Sequence, residues 1–209
     1  MYKKNNKKSL QKAVKIFQSK GGILRYNEAI KEGIHSRTLY ELKDLGIIEQ
    51  LDRGLYAIVG LPGVSDPDLV TVSKKVPKGV ICLISALNFH GLTNQIPHYM
   101  HIAIPQQIKA PKIEYPPVRF YWFSKEIWES GIEEHIINKI KVKVYSKEKT
   151  IVDCFKHRNK IGIEVSIEAL RNYWESGKAD LEKIQQIAKI SKVEKVIKPY
   201  LETIINEQS

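Results

Sequence analysis

The chain has few of the residues that hold small secreted or metal-binding domains together. Only two cysteines, Cys82 and Cys154, occur among its 209 residues, and neither belongs to a paired-cysteine motif. Isolated cysteines predict free thiols in a reducing compartment rather than a disulfide framework. His98, His101 and His157 do not complete a four-ligand zinc pattern with Cys154. We therefore expect no metal and no cofactor.

Long apolar runs are also missing. The longest nearly apolar segment, Val80–Phe89, is interrupted by Ser85 and Asn88. It is much shorter than the roughly 20 residues that a membrane-spanning helix needs. The lysines near the N-terminus are not followed by an apolar stretch, which argues against a secretory signal peptide. These absences predict a cytoplasmic protein without a membrane partner.

Signatures of catalysis are absent as well. The sequence shows no glycine-rich phosphate loop, no Walker lysine and no paired-carboxylate motif. Ser85 and His90 lie close together in sequence, but no GxSxG elbow surrounds the serine and no carboxylate is placed to orient the histidine. Packing of Ser85 in a core is the better interpretation, and we expect no enzyme.

Acidic residues are scarce relative to basic ones. The chain has 34 Lys+Arg against 23 Asp+Glu, a net charge of +11 and a pI near 9.5. Residues 1–60 hold 12 of the basic and 6 of the acidic residues, so the charge density is highest there. Such a surplus favours a polyanionic partner, nucleic acid first. A generally lysine-rich composition would explain the charge equally well, so the charge alone does not show that the partner is a nucleic acid.

The order of elements from Asn27 to Ile58 is typical of a winged helix-turn-helix. The pattern predicts a helix capped by Asn27 and ended by Gly33, and then a second helix capped by Ser36. Two β-rich runs around Asp52-Arg53-Gly54 predict a hairpin, which would form the wing. The expected buried face of the second helix consists of Leu39, Leu42 and Leu45.

Upstream and downstream segments complete the predicted organisation. A first helix is expected to begin at a Ser9 cap and to end at Gly21-Gly22, behind a mobile basic arm of residues 1–8. A linker rich in Pro and Gly, Leu61–Pro67, places the domain boundary between residues 60 and 66. Residues 66–209 read as a mixed α/β domain, with a helix to about 76, a buried helix at 80–89 and a helical tail. Its strands are expected at 99–104, 118–123 and 140–145, and its later helices at 147–157, 164–176, 180–190 and 192–206. The predicted fold class is therefore α+β.

The second helix of the motif is the expected DNA reader. Its outward residues include two acids, Glu41 and Asp44, in the C-terminal half, so the N-terminal half should enter the major groove. Arg37 is placed to read guanine bidentately. The alternative is a winged helix used for protein contact, with Arg37 solvated. The remaining expected contacts on and beside this helix are Ser36, Tyr40 and Lys43.

Two further groups of basic residues are candidates for contacts with the DNA backbone. Arg53 lies at the tip of the predicted wing, where it would reach phosphate or the minor groove. Simple turn chemistry also explains the segment around it. The N-terminal lysines would track phosphates without sequence preference, or would merely be solvated. These lysines are Lys3, Lys4, Lys7 and Lys8.

Two groups of short motifs lie along most of the chain. Those in the N-terminal part are Gly33-Ile34-His35-Ser36-Arg37-Thr38-Leu39, Leu45-Gly46 and Arg53-Gly54-Leu55-Tyr56. Those further on are Ile84-Ser85-Ala86-Leu87, His90-Gly91-Leu92, His101-Ile102-Ala103-Ile104-Pro105, Tyr145-Ser146-Lys147-Glu148-Lys149-Thr150-Ile151-Val152-Asp153 and Glu168-Ala169-Leu170. In their order and spacing, these motifs resemble the AbiEi antitoxins of type IV toxin–antitoxin, or abortive-infection, systems.

The resemblance implies a repressor domain at 1–60 fused to an antitoxin domain at 66–209. It also implies promoter DNA as one partner and a nucleotidyltransferase-like toxin as the other, antagonised directly or indirectly. It does not identify the residues that would contact the toxin. The alternative function is a stand-alone winged-helix regulator whose second domain senses a ligand or mediates dimerisation.

Overall fold

The computed structural model describes residues 2–60 and 66–206, with side chains from Lys8 onward. Residues 61–65 of the predicted linker lie outside the described part. The chain forms two compact units. The described residues of the first unit are 2–60, 66–77, 112–116 and 136–142. Those of the second are 78–111, 117–135 and 143–206.

Helices and strands are mixed along the first part of the described chain, and a helical tail follows. The first seven elements are α1 (Tyr2–Ser19), β1 (Ile23–Arg25), α2 (Tyr26–Lys31), α3 (Ser36–Asp44), β2 (Ile48–Asp52), β3 (Leu55–Ile58) and α4 (Pro67–Lys75). The next seven are β4 (Val80–Ile81), α5 (Leu83–Phe89), β5 (Met100–Pro105), β6 (Val118–Phe123), α6 (Lys125–Glu129), β7 (Ile132–Ile137) and β8 (Ile140–Tyr145). The helical tail comprises α7 (Lys147–Lys156), α8 (Arg158–Ile161), α9 (Ile163–Glu175), α10 (Leu181–Ile190) and α11 (Glu194–Asn206).

The first unit contains the predicted winged helix. The strands β1, β3 and β2 form an antiparallel sheet in that order, and helices α1, α2 and α3 share one core with it. At the centre of this core are Phe17, Leu39 and Leu42, which are fully buried, together with Leu24 and Ile48. Apolar side chains spaced along each helix meet the inner face of the sheet, which confirms the predicted architecture.

Several predicted boundaries were wrong. The helix α1 begins at Tyr2 rather than at a Ser9 cap, so the backbone of residues 2–8 is helical. Lysine has a high helix propensity, and nothing in this segment stops the helix. The N-cap of α2 is Arg25 rather than Asn27, and the Glu28 carboxylate accepts a hydrogen bond from the Arg25 backbone N–H at 2.9 Å.

A second, smaller core in the first unit surrounds α4. Val70 is fully buried against Ile23, Leu55 and Ile140. By its contacts α4 therefore belongs with the winged helix, although the sequence grouped it with the following residues. The functional division between residues 1–60 and 66–209 stays a prediction.

The second unit is mixed α and β. Strands β4 to β8 form a five-stranded sheet in the order β6, β5, β4, β8, β7, with parallel pairs β5–β6 and β4–β8 and an antiparallel pair β4–β5. Val80 and Ile81 form strand β4, so the predicted helix over 80–89 begins only at Leu83. A two-residue strand has no periodicity of its own, and its neighbours β5 and β8 define it. The α+β class, with a winged helix and a helical tail, is confirmed.

Candidate nucleic-acid interface

Helix α3 begins one residue earlier than its predicted cap implies. His35 is extended, with φ −68° and ψ 142°, and its Nδ1 accepts a hydrogen bond from the Arg37 backbone N–H at 3.3 Å. Ser36 is already the first helical residue. His35 therefore caps the helix, and the cap predicted for Ser36 was wrong. This cap holds the first turn of α3, from which Arg37 projects.

The buried face of α3 is shorter than expected. Leu39 and Leu42 are fully buried, whereas Leu45 is 58% exposed. The helix ends at Asp44, so Leu45 lies beyond its inner face as the C-cap residue. Gly46 follows with φ +66°, and the chain then turns so that Ile48 fills the core.

The outward residues of α3 differ in how strongly they are held. Arg37 and Tyr40 are exposed, and in the part of the chain that the structure describes the Arg37 guanidinium has no recorded partner. Lys43 is also exposed, but its ammonium donates to Gln50 Oε1 at 2.9 Å. Arg37 is therefore the side chain of α3 best placed to receive a ligand at the N-terminal end, and Lys43 is tied to strand β2.

The wing is a tight turn with its own internal bonds. The Arg53 backbone N–H donates to Asp52 Oδ1 at 2.7 Å. Gly54 has φ +70°, and its carbonyl accepts from the Tyr26 N–H at 2.8 Å. The Arg53 side chain is exposed and has no recorded partner among the described residues. The wing thus presents one cation on a well-anchored turn.

The helix α4 supports this turn from one side. The Lys75 ammonium lies 2.8 Å from Asp52 Oδ2, with the two side chains 6% and 19% exposed. Partial burial would raise the pKa of Asp52, but the hydrogen bonds from Lys75 and the Arg53 N–H outweigh it and lower that pKa. The carboxylate that braces the wing is therefore held in its charged form.

A second set of bonds joins α4 to α2. The Arg25 guanidinium donates through Nε to the Lys74 carbonyl at 3.0 Å, and the Lys74 ammonium lies 2.8 Å from Glu28 Oε2. Burial would raise the pKa of Glu28, but its bonds to Lys74 and Arg25 lower it overall. Sequence reasoning missed these contacts because the partners are far apart in the chain and no local pattern joins them.

The N-terminal lysines are only partly described. Lys8 is exposed on α1. The backbone of Lys3, Lys4 and Lys7 is helical, but their side chains lie outside the described residues. Their role in phosphate contact stays a prediction.

In the second unit, Ser85 and His90 belong to different networks. Ser85 Oγ lies 3.2 Å from Nδ1 of His101 and accepts from the His101 backbone N–H at 3.0 Å. His90 instead contacts the Tyr145 carbonyl through Nε2 at 2.7 Å. Ser85 and His101 are each 4% exposed, so this pair is a closed packing arrangement. Burial and the nearby Arg119 lower the pKa of His101 to about 4, which keeps the ring neutral.

Neither a metal cluster nor a membrane-spanning helix occurs in the described part of the chain. Among residues 2–60 and 66–206, no group of three or more His, Cys, Asp or Glu side chains is arranged to hold a metal ion. Within the same ranges, no helix has both the length and the apolar character that crossing a membrane requires.

The arrangement of α2, α3 and the wing defines the class of protein. A helix capped at its first turn, beside a two-residue wing turn that carries one arginine, is the architecture of a winged-helix regulator. Residues 11–59 match the sequence profile of a family described as "Transcriptional regulator, AbiEi antitoxin". This segment is therefore similar to the AbiEi antitoxin transcriptional regulators, which supports the resemblance seen in its motifs.

A solved structure extends the likeness in fold beyond this segment. The chain is similar to the crystal structure of the RV2827C protein from Mycobacterium tuberculosis, with a TM-score of 0.53 and 12% sequence identity. The match covers 87% of this chain and 81% of the other. At that identity the likeness concerns the fold alone. No curated protein matches the sequence significantly.

Proposed function

We propose that this protein is a DNA-binding transcriptional repressor that is also the antitoxin of a nucleotidyltransferase-like toxin. The observation that carries the DNA part is the placement of Arg37 and Arg53. Both are exposed, both lie on anchored elements, and neither has a recorded side-chain partner in the described ranges. The family match at residues 11–59 supports the combination of regulator and antitoxin.

In this mechanism the N-terminal end of α3 enters the major groove. Arg37 reads a base edge there, while Ser36 and Tyr40 contact the edge or the backbone. Arg53 on the wing contacts phosphate or the minor groove. The acidic residues Glu41 and Asp44 lie further along α3, which favours entry by its first turn. Lys43, held by Gln50, flanks the contact.

The DNA part is tested by fluorescence anisotropy on the chain's own promoter across a range of salt concentrations. Arg37→Ala should weaken operator binding by about 1–3 kcal/mol, because a bidentate base contact contributes that much. Arg53→Ala should weaken binding to all DNA sequences by a similar amount. It should also make the affinity depend less steeply on salt concentration. Lys178→Ala, at an exposed lysine of the second unit, is the matched control. Parental binding by the Arg37→Ala/Arg53→Ala double variant would exclude α3 and the wing as the DNA reader.

The antitoxin part concerns the division of labour along the chain. We infer that residues 66–209 neutralise the toxin and that residues 1–60 serve repression. A fragment that begins at residue 66 would carry α4 without the core that buries Val70. Full-length variants therefore test the division more cleanly than fragments do.

Growth rescue in cells that express the cognate nucleotidyltransferase-like toxin provides this test. The Arg37→Ala/Arg53→Ala variant should lose promoter repression and retain rescue. Loss of both, with the protein folded and expressed, would refute the division of labour. Failure of the unaltered chain to rescue growth would remove the antitoxin function and favour the stand-alone regulator. A pull-down is not decisive, since antagonism through the toxin's product or target needs no stable complex.

A further inference from the structure

A concave pocket in the second unit is not used by the proposed DNA contacts. Its volume is about 400 Å³, within the range that small-molecule sites occupy. The residues that form its wall lie on α5, before and within β5, on β6 and on α8. Those that matter for its chemistry are Ile96, Pro97, Tyr99, His101, Arg119 and Lys160.

The pocket carries two cations and no compensating acid. The guanidinium carbon of Arg119 lies 4.7 Å from the centre of the Tyr99 ring, and Arg119 pairs in register with His101 across strands β5 and β6. This stacking holds the guanidinium over the pocket wall. Lys160 is exposed at the end of α8. None of the lining residues is acidic, and no ion pair of Arg119 or Lys160 is recorded among the described residues.

The rest of the wall suits a planar apolar group. Ile96 is 83% exposed and Tyr99 is 43% exposed, so both offer apolar area that the fold leaves open. Pro97 and Ile161 continue this surface. His101 adds no third cation at neutral pH, because burial keeps its ring uncharged. The site therefore combines one cationic side with one apolar side.

We propose that this pocket binds a mononucleotide. The phosphates contact Arg119 and Lys160, and the base lies against Ile96, Pro97 and Tyr99. Arginine and lysine side chains are the usual ligands of phosphate oxygens, arginine through a planar fork and lysine as a point charge. The base gains from apolar and aromatic contact, which every nucleobase provides. All residues of this site belong to the second unit, and the proposal does not depend on the proposed function.

Isothermal titration calorimetry on the full chain tests the proposal. The probes are ATP, GTP, CTP and UTP, each compared with adenosine and with inorganic tripolyphosphate. At least one nucleotide should bind saturably at one site, and more tightly than either adenosine or tripolyphosphate. The Arg119→Gln/Lys160→Gln variant should lose about tenfold or more in affinity, since two charge-assisted contacts disappear. Lys178→Gln should bind as the parent does.

Two further variants show whether nucleotide binds in this pocket or on the DNA-binding surface. The Arg37→Ala/Arg53→Ala variant should bind nucleotide normally, because its changes lie in the first unit. Arg119→Lys keeps the charge and should retain more affinity than Arg119→Gln, while thermal denaturation checks that each variant is folded. The proposal is overturned if no nucleotide binds at millimolar concentration, or if the double glutamine variant binds unchanged. Tripolyphosphate binding as tightly as the nucleotides would reduce the site to one for anions and refute the base contact.

Discussion

The Lys75 ammonium lies 2.8 Å from the carboxylate of Asp52, the residue immediately before the wing arginine. Asp52 also accepts a hydrogen bond from the Arg53 backbone N–H through its other carboxylate oxygen. The helix α4 thereby braces the turn that presents Arg53. Lys75 lies outside residues 11–59, which match the AbiEi profile, so the contact adds helix α4 to the matched segment.

Removing this brace should cost stability. Lys75→Met leaves Asp52 with one backbone donor, and we expect a loss of about 1–3 kcal/mol in the free energy of unfolding, as for other hydrogen bonds to charged groups. Lys75→Arg preserves the charge and should lose less. Because the pKa of Asp52 is lowered in the folded state, the contribution of the pair is present above the ordinary pKa of the carboxylate and is lost as the pH falls below it. An unchanged urea midpoint for Lys75→Met at neutral pH would show that the pair is only a surface contact.

Two glycines with nearly equal backbone angles should respond differently to alanine. Gly21 has φ +86°, and a Cβ placed there would lie 1.7 Å from the Asn138 carbonyl oxygen. Gly33 has φ +87° and open space around the same position. Gly33→Ala should therefore lower the free energy of unfolding only by the strain of a left-handed backbone at a residue with a Cβ, about 1–2 kcal/mol. Gly21→Ala should cost at least about 3 kcal/mol, because the backbone of another segment must move. Equal denaturant midpoints for the two variants would contradict this.

The buried pair Lys149 and Asp153 provides a third prediction. Their charged atoms are 2.5 Å apart, both side chains are fully buried, and the ammonium lies 4.7 Å from the centre of the Tyr145 ring. Burial raises the pKa of Asp153 despite the neighbouring Lys149. Lys149→Met should destabilise the protein by about 3–5 kcal/mol, because it leaves a carboxylate in the core without its partner.

The double variant Lys149→Met/Asp153→Leu is the control for this pair. It removes both charges and should be more stable than Lys149→Met alone. Chemical denaturation of the three proteins measures the difference. If the double variant is the least stable of the three, desolvation of the unpaired carboxylate does not explain the instability of Lys149→Met.

Mild acid should weaken the fold through two histidines. Burial lowers the pKa of His101 and of His157 to about 4. The charge of Arg119 adds to this effect at His101, and the charges of nearby lysines add to it at His157. The unfolded chain takes up protons near pH 6.5, before the folded chain does. Stability should therefore fall as the pH drops from about 6.5 to about 4, by up to about 1.4 kcal/mol per pH unit for each histidine.

His157→Phe tests this pH dependence. The substitution keeps an aromatic ring beside Tyr121, whose ring centre lies 5.3 Å away, and removes one titrating group. The stability of the variant should fall less steeply between pH 6.5 and 4 than that of the parent. Parallel curves for the two proteins would mean that His157 does not contribute.

Local patterns predicted the winged helix well because its determinants are close together in the chain. Gly33, Gly46 and Gly54 all adopt positive φ where turns were expected, and Leu39 and Leu42 share a buried face. Strand β1 was missed because three residues have no recognisable periodicity, and the pairing with β3 defines it. Of the expected DNA contacts, Arg37, Tyr40 and Arg53 are exposed, and their roles remain predictions.

The amino-acid sequence by itself determined the order of the elements, the glycine turns, the basic wing and the spacing by which Lys149 meets Asp153. These follow from helical periodicity and turn chemistry, which act over a few residues. Only the tertiary structure decided that this pair is wholly buried, and that Lys75 braces Asp52. It also brought Arg119 and Lys160 to one pocket. Burial and long-range pairing depend on which surfaces meet when the chain folds, and no local pattern specifies that.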